Sequence, residues 1–154
     1  MMRRALYLFL CLLLCLSLVC CGEDFTHCEM TLPLGEDFYR VDTEDFDAAF
    51  TNGEVTVGML RISFIAGYNQ GIPETMTAAE LARFWQKQTG REGHVYTDRL
   101  TPYYTYLDGG YFYMSGFYRT QNAYFIVLLA CSSQKDTEWH TEFENILDGA
   151  TFKY

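Results

Sequence analysis

The sequence is poor in basic residues, proline and histidine. Its 154 residues include 11 Lys and Arg against 20 Asp and Glu, which gives a formal net charge of -9. Phosphate binding needs a positive surface, so this charge balance argues against a general nucleic-acid binder. Hydrophobic residues make up 49% of the chain and aromatic residues 17%, a composition typical of one small globular domain rather than of a disordered chain.

The spacings of common metal sites are also missing. The three histidines, His27, His94 and His140, are far apart in the sequence and match no zinc-binding pattern. The acidic run at 42–47 differs from a calcium-binding loop because Phe46 occupies a ligand position, so we interpret it as a solvated loop. We therefore predict no metal and no cofactor.

Catalytic patterns are equally scarce. Ser115 lacks the leading glycine of a nucleophile elbow, and no local pattern supports Cys131 as a nucleophile paired with a histidine. We therefore expect a protein that is not an enzyme. An envelope hydrolase that uses Cys131 or Ser115 is the least favoured alternative.

The N-terminus has the pattern of an export signal. Arg3 and Arg4 precede a run without charge at 5–19, which is shorter than the roughly 20 residues that a membrane-spanning helix needs. We predict that residues 1–20 are a signal peptide and are removed. A retained membrane anchor is the alternative.

The run ends in Leu18-Val19-Cys20-Cys21-Gly22, which resembles a bacterial lipobox. The resemblance implies a lipoprotein that carries acyl chains such as palmitate on Cys21 and lies at the extracytoplasmic face of the cell membrane. Two or more acyl chains anchor a protein stably. Cys20 stands immediately before the expected signal-peptidase cleavage site, where a lipobox usually has a smaller residue. The alternative is that the leader cysteines are only apolar residues and that ordinary signal peptidase cuts the chain.

Residues 21–27 are predicted to form a short tether, with a reach of roughly 20 Å, and residues 28–154 a single domain. Loss of the leader leaves 9 bases against 20 acids, a net charge of -11. Half of the acids lie between Glu23 and Glu54, so anionic headgroups should repel this end. We expect the lipid, and not charge, to hold the protein at the membrane.

In the first half of this domain, the patterns predict a strand, a hairpin and a loop. Cys28, Met30 and Leu32 alternate with polar residues, as in a short strand. Asn52-Gly53 predicts a two-residue hairpin turn whose second arm runs to about Ile65. A loop with Gly67, Gly71 and Pro73 should follow.

The second half begins with the capping box Thr77 to Glu80, which predicts a helix over 78–89, ended by Gly90. Residues 94–131 are predicted to form a meander of three or four strands. Its last strand is apolar on both faces, as in a central strand covered on both sides. Trp139, Phe143, Ile146 and Leu147 then indicate a second helix, and 151–153 a short closing strand.

This order of elements resembles the PsbP-like superfamily, whose members include photosystem II extrinsic proteins and many bacterial lipoproteins. The resemblance rests on three segments: Leu32-Pro33-Leu34-Gly35, Tyr124-Phe125-Ile126-Val127 before Cys131, and Phe143-Glu144-Asn145-Ile146-Leu147. It implies an α+β fold, a single α/β/α sandwich with a mostly antiparallel sheet and two main helices. It also implies a non-catalytic accessory or adaptor role.

Cys28 and Cys131 are the two cysteines of the predicted domain. Export would place them in a compartment that permits disulfides. A bridge between them would close a loop of about a hundred residues and stabilise the fold by about 4.7 kcal/mol. The alternative is two buried, reduced cysteines.

Tyrosines are concentrated in the meander, and Tyr104, Tyr106 and Tyr113 are our candidate contact surface for a protein or a cell-envelope partner. The competing interpretation is that these rings favour strands and pack beneath a helix. An alternative function is a small-ligand or peptide pocket between the sheet and the 78–89 helix, which carries Trp85.

Overall fold

The computed structural model describes Thr26, His27 and residues 29–153. The leader, Cys21 and Cys28 lie outside the described residues. The helices are α1 Phe64–Asn69, α2 Ala78–Thr89 and α3 Asp136–Asp148, the last preceded by a 3₁₀ turn at Ser133–Lys135. The strands are β1 Thr26–His27, β2 Met30–Thr31, β3 Tyr39–Val41, β4 Ala48–Thr51, β5 Val55–Ser63, β6 Gly93–Tyr96, β7 Tyr103–Asp108, β8 Tyr111–Arg119, β9 Ala123–Ser132 and β10 Thr151–Phe152.

Seven strands form an antiparallel sheet in the order β3-β4-β5-β9-β8-β7-β6. β9 lies in the middle, paired with β5 from Val55↔Cys131 to Ser63↔Ala123 and with β8 on its other side. Its apolar residues pack on both faces, which confirms the predicted central strand. The closing strand β10 is also confirmed, but it pairs with β2 in a separate small sheet of order β1-β2-β10.

The two long helices cover opposite faces of the large sheet, so the predicted α/β/α sandwich is confirmed. α2 packs Leu81 and Ala82 against one face, where they meet Phe117 and Tyr124 of the sheet. On the other face, α3 contributes to one larger apolar cluster. Its buried members from α3 are Phe143, Ile146 and Leu147.

α2 begins and ends where its sequence predicts. The Thr77 hydroxyl accepts a hydrogen bond from the Glu80 amide at 3.2 Å, and the Glu80 carboxylate accepts one from the Thr77 amide at 2.8 Å. Gly90 ends the helix in the left-handed region at φ 62°, where a side chain would be strained.

Two predicted details of the first half are wrong. The strand predicted over 28–32 is Met30–Thr31 in the described residues, so it ends before Leu32. The hairpin turn is formed by Gly53 and Glu54, since Thr51 pairs with Thr56 and the Asn52 amide donates to the Val55 carbonyl. Gly53 takes the positive φ of 91°, while the Asn52 side chain accepts from the amides of Glu54 and Val55.

The segment predicted as a loop after β5 contains the short helix α1. The Ser63 hydroxyl accepts from the Ala66 amide at 3.2 Å and so caps its first turn. Gly67 allows the chain to fold back closely, because a Cβ there would lie 3.1 Å from the Ile72 carbonyl oxygen.

The edge strand β3, next to the acidic run at 42–47, is likewise absent from the sequence prediction.

The two ends of the large sheet differ in what they carry. At one end, which we call the α1 end, β5 leads into α1 and the loop 97–102 joins β6 to β7. The last turn of α3 also lies at this end, beside the small sheet. The hairpin end carries the turns at 53–54 and 109–110 and the start of α3. None of the described helices has the length and apolar character that a membrane span requires.

Candidate functional site

Four tyrosines form a ladder of rings on the α2 face near the hairpin end. Ring centroids are 5.1 Å apart between Tyr104 and Tyr106, 4.8 Å between Tyr106 and Tyr113, and 6.3 Å between Tyr113 and Tyr111. The Arg91 guanidinium lies 5.1 Å from the Tyr106 ring centroid and donates to its hydroxyl. The ladder makes the β7–β8 hairpin a stiff element.

The expected exposure of Tyr104 and Tyr106 is wrong, because these side chains are 0% and 7% exposed. α2 covers this part of the sheet, and the Tyr104 hydroxyl donates to the Arg91 carbonyl at 2.7 Å. Tyr113 is partly exposed, and Tyr111, at the outer end of the ladder, is 53% exposed. The surface of the ladder that a partner can reach is therefore Tyr111 with the edge of Tyr113.

A groove of about 490 Å³ lies beside the same hairpin, at the hairpin end. Its rim includes the exposed Leu107, at 62%, and two carboxylates, Glu92 and Asp136. The lining consists of Glu92, Gly93, His94, Thr105, Tyr106, Leu107, Phe112 and Asp136. The groove thus combines apolar walls with negative charge.

The space between the sheet and α2, where the alternative function placed a pocket, is filled by side chains. Leu81, Ala82, Tyr104 and Phe117 are buried there in one cluster. Trp85 packs edge to face on Phe117, with centroids 6.4 Å apart. A ligand at this position would have to displace the core.

A second groove, of about 450 Å³, lies at the α1 end, and we call it the α1 groove. It is lined by Phe64, Ile65, Tyr68, Asn69, Pro73, Glu74 and Thr75. The Arg119 guanidinium lies 5.4 Å from the Phe64 ring centroid, and its Nε donates to the Glu74 carbonyl at 3.0 Å. The groove is mostly apolar. It is absent from the sequence prediction because it depends on α1, which the sequence pattern predicts as a loop.

The candidate nucleophiles are buried, and the structure does not join them to a histidine. Ser115 is fully buried beneath α2, and its hydroxyl has no hydrogen-bond partner. Cys131 is buried in the α3-face cluster, where burial and then the nearby carboxylates of Asp136 and Glu138 raise the pKa of its thiol. A raised pKa disfavours the reactive thiolate.

His94 and His140 pack against aromatic rings. His94 meets Tyr96 with centroids 4.4 Å apart, and His140 lies 5.8 Å from Phe112. Within the described part of the chain, no three His, Cys, Asp or Glu side chains are arranged to hold a metal ion. The bridge between Cys28 and Cys131 stays a prediction, because Cys28 is outside the described residues.

Tyr118 ties the end of α3 to the sheet and predicts loss of stability at alkaline pH. Its hydroxyl donates to the Leu147 carbonyl at 2.8 Å, and burial, followed by the nearby Asp148 carboxylate, raises its pKa far above 10.0. The folded state keeps this proton while the unfolded state loses it above pH 10, so the contribution is intact below pH 10 and falls as the pH rises. The expected loss is about 1.4 kcal/mol per pH unit from this group.

Urea unfolding at about pH 9 and pH 11 measures how much the free energy of unfolding falls as the pH rises. Over this interval, which spans the unfolded pKa of about 10, Tyr118→Phe, which has no phenol to titrate, should lose about 1.4 kcal/mol less stability than the wild-type protein. An equal loss in Tyr118→Phe would show that other groups, such as Tyr103 or Tyr106, account for the alkaline loss.

Comparison with known proteins identifies the fold. The sequence matches no protein-family model and no curated protein. The structure is similar to cyanobacterial PsbP (CyanoP) from Synechocystis, with a TM-score of 0.50 and 12% identity over 89% of this chain and 99% of that chain. It is also similar to LpqN, involved in cell envelope biogenesis of Mycobacterium tuberculosis, with a TM-score of 0.46 and 10% identity over 81% and 83% of the two chains. The first similarity shows a PsbP-like α+β fold.

Proposed function

We propose that this chain is a non-enzymatic bacterial lipoprotein, held at the extracytoplasmic face of the cell membrane by acyl chains on Cys21, that binds a protein partner of the cell envelope. The lipobox-like segment at 18–22 supports the anchor. The buried Ser115 hydroxyl and the buried Cys131 thiol support a role without catalysis, because a substrate would not reach either group.

The observation that carries the binding role is the exposed apolar surface at the hairpin end. Leu107 and Tyr111 flank the 108–110 turn on opposite faces of the hairpin, and Leu107 lines the groove of about 490 Å³. Exposed apolar side chains on a stiff element, surrounded by polar residues, are typical of protein interaction sites. The tyrosine ladder below holds Tyr111 in place, which lowers the entropy lost on binding.

The charge around this surface favours a basic partner. Glu92 and Asp136 line the groove, and Asp108 at the turn is paired with Arg91 at 2.8 Å. An acidic rim attracts a basic partner over a distance and raises its association rate, an effect that added salt weakens. We therefore expect a partner that offers an apolar segment flanked by Lys or Arg.

The double variant Leu107→Asp with Tyr111→Asp tests this surface. Each change places a charge in the proposed contact, and a loss of about 1.4 kcal/mol per residue corresponds to roughly a hundredfold weaker binding for the pair. The measurement is recovery of crosslinked partners from membranes of the encoding organism, quantified by mass spectrometry. Partners found with the wild-type protein should be lost.

Tyr39→Asp is the matched control. Tyr39 is 52% exposed, close to the value for Tyr111, but it lies on the edge strand β3 at the far side of the sheet. This control should recover the same partners as the wild-type protein. Undiminished recovery with the double variant would refute the hairpin surface, and equal loss with Tyr39→Asp would show that the effect is not specific to it.

A further inference from the structure

Three strongly exposed apolar side chains project from the α1 end of the sheet. Ile65 and Tyr68 on α1 are 82% and 75% exposed, and Leu100 in the loop 97–102 is 82% exposed. These are the highest exposures among the large hydrophobic residues that the structure leaves open to solvent. Side chains of this kind at one end of a small domain are typical of a contact surface.

The backbone holds these side chains outward. On α1, Gly67 is buried against the following loop, and its carbonyl accepts from the Ile72 amide at 2.8 Å. Ile65 and Tyr68 are three residues apart, so they lie on one side of the helix, along the α1 groove. Leu100 is fixed by its neighbour Thr101, whose amide donates to the Asp148 carboxylate at 3.1 Å.

The described chain begins at this same end. Thr26 pairs with Thr31, and Thr31 pairs with Thr151, which follows α3 by three residues. Two strand spacings separate Thr26 from Thr151, which is about 10 Å. Five residues lead from Cys21 to Thr26, with a reach of roughly 18 Å at full extension.

We infer that Ile65, Tyr68 and Leu100 insert into the headgroup region of the bilayer and orient the domain on the membrane. This inference rests on the proposed lipid anchor, because the short chain between Cys21 and Thr26 brings the α1 end to the surface. The hairpin end, with its proposed partner surface, then points away from the membrane.

The contact is apolar rather than electrostatic. Arg99, Arg119 and Lys153 lie at the α1 end, but so do Glu74, Asp98 and Asp148, and the chain carries a large excess of acids. Anionic headgroups therefore supply little attraction, in contrast to a polybasic membrane segment. Added salt should leave the insertion unchanged, because it screens charges and not apolar contacts.

Tryptophan quenching by brominated lipids tests the inference. The mature lipidated protein is reconstituted into vesicles of phosphatidylcholine and phosphatidylglycerol with bromine on the acyl chains, as Tyr68→Trp, Leu100→Trp and the hairpin-end control Tyr111→Trp. Insertion to roughly 5–10 Å should remove about half of the emission that the new tryptophan adds at position 68 or 100. The emission added at position 111 should be unchanged.

The outcomes separate this inference from the proposed function. Protein that floats with the vesicles, but shows no quenching at positions 68 and 100, overturns the membrane contact and leaves the anchor intact. The exposed α1 surface would then be a site for a protein partner instead. Protein that neither floats nor shows quenching overturns the anchor and, with it, the orientation. Quenching that disappears in high salt contradicts the apolar nature of the contact.

Discussion

Replacement of Cys21 by Ala is expected to release the protein from the membrane. The predicted attachment depends on acyl chains bonded to this thiol, and each buried methylene contributes about 0.8 kcal/mol to membrane binding. Fractionation should therefore move nearly all of the protein from the membrane fraction to the soluble fraction, or leave it as uncleaved precursor with its leader.

Cys20→Ala is the control for this prediction. It removes a neighbouring thiol and places a small residue before the cut, which is the residue type usual in a lipobox. Retention on the membrane should be unchanged. Release of Cys20→Ala together with retention of Cys21→Ala would contradict the account, because it would place the lipid on Cys20.

The second large effect is expected from Phe143→Ala. Phe143 of α3 is fully buried and packs between Phe112 and Trp139, with ring centroids 6.1 and 5.9 Å away. Truncation removes this apolar surface and leaves a cavity under α3, so we expect a loss of about 3–5 kcal/mol. Domains of this size are stable by only about 5–15 kcal/mol, so urea unfolding should show a much lower midpoint.

Two further variants keep this prediction testable. Tyr39→Ala truncates an exposed ring of similar size and should change stability by no more than about 0.5 kcal/mol. If Phe143→Ala does not fold, Phe143→Leu fills more of the cavity and should show a smaller but measurable loss. A midpoint for Phe143→Ala equal to that of Tyr39→Ala would contradict the packing described for α3.

The sequence patterns predicted the elements whose signals are local. Thr77, Glu80 and Gly90 satisfy the backbone groups at the two ends of α2, so its bounds follow from chemistry within one or two turns. The central strand β9 was also predictable, because both faces of its sequence are apolar. α1 was missed because it is short and depends on Gly67 packing closely against Ile72, a contact that periodicity does not encode.

The burial of the tyrosines in β7 and β8 could not be predicted from the alternation of side chains along a strand. Tyr103 and Tyr104 are adjacent, so they point to opposite faces of β7, and each is buried beneath a different helix. Strand periodicity assigns a ring to a face, but it does not show how far a helix extends along that face. The part of the ladder that stays open, at Tyr111 and Tyr113, depends on where α2 ends relative to the hairpin.

The intact mass of the native protein extracted from membranes tests the central claim most directly. The account predicts the mass of residues 21–154 plus at least two acyl chains. A further loss of about 2 Da would identify the bridge between Cys28 and Cys131. An unmodified mass, with or without the leader, would contradict the lipoprotein assignment and the membrane orientation that follows from it.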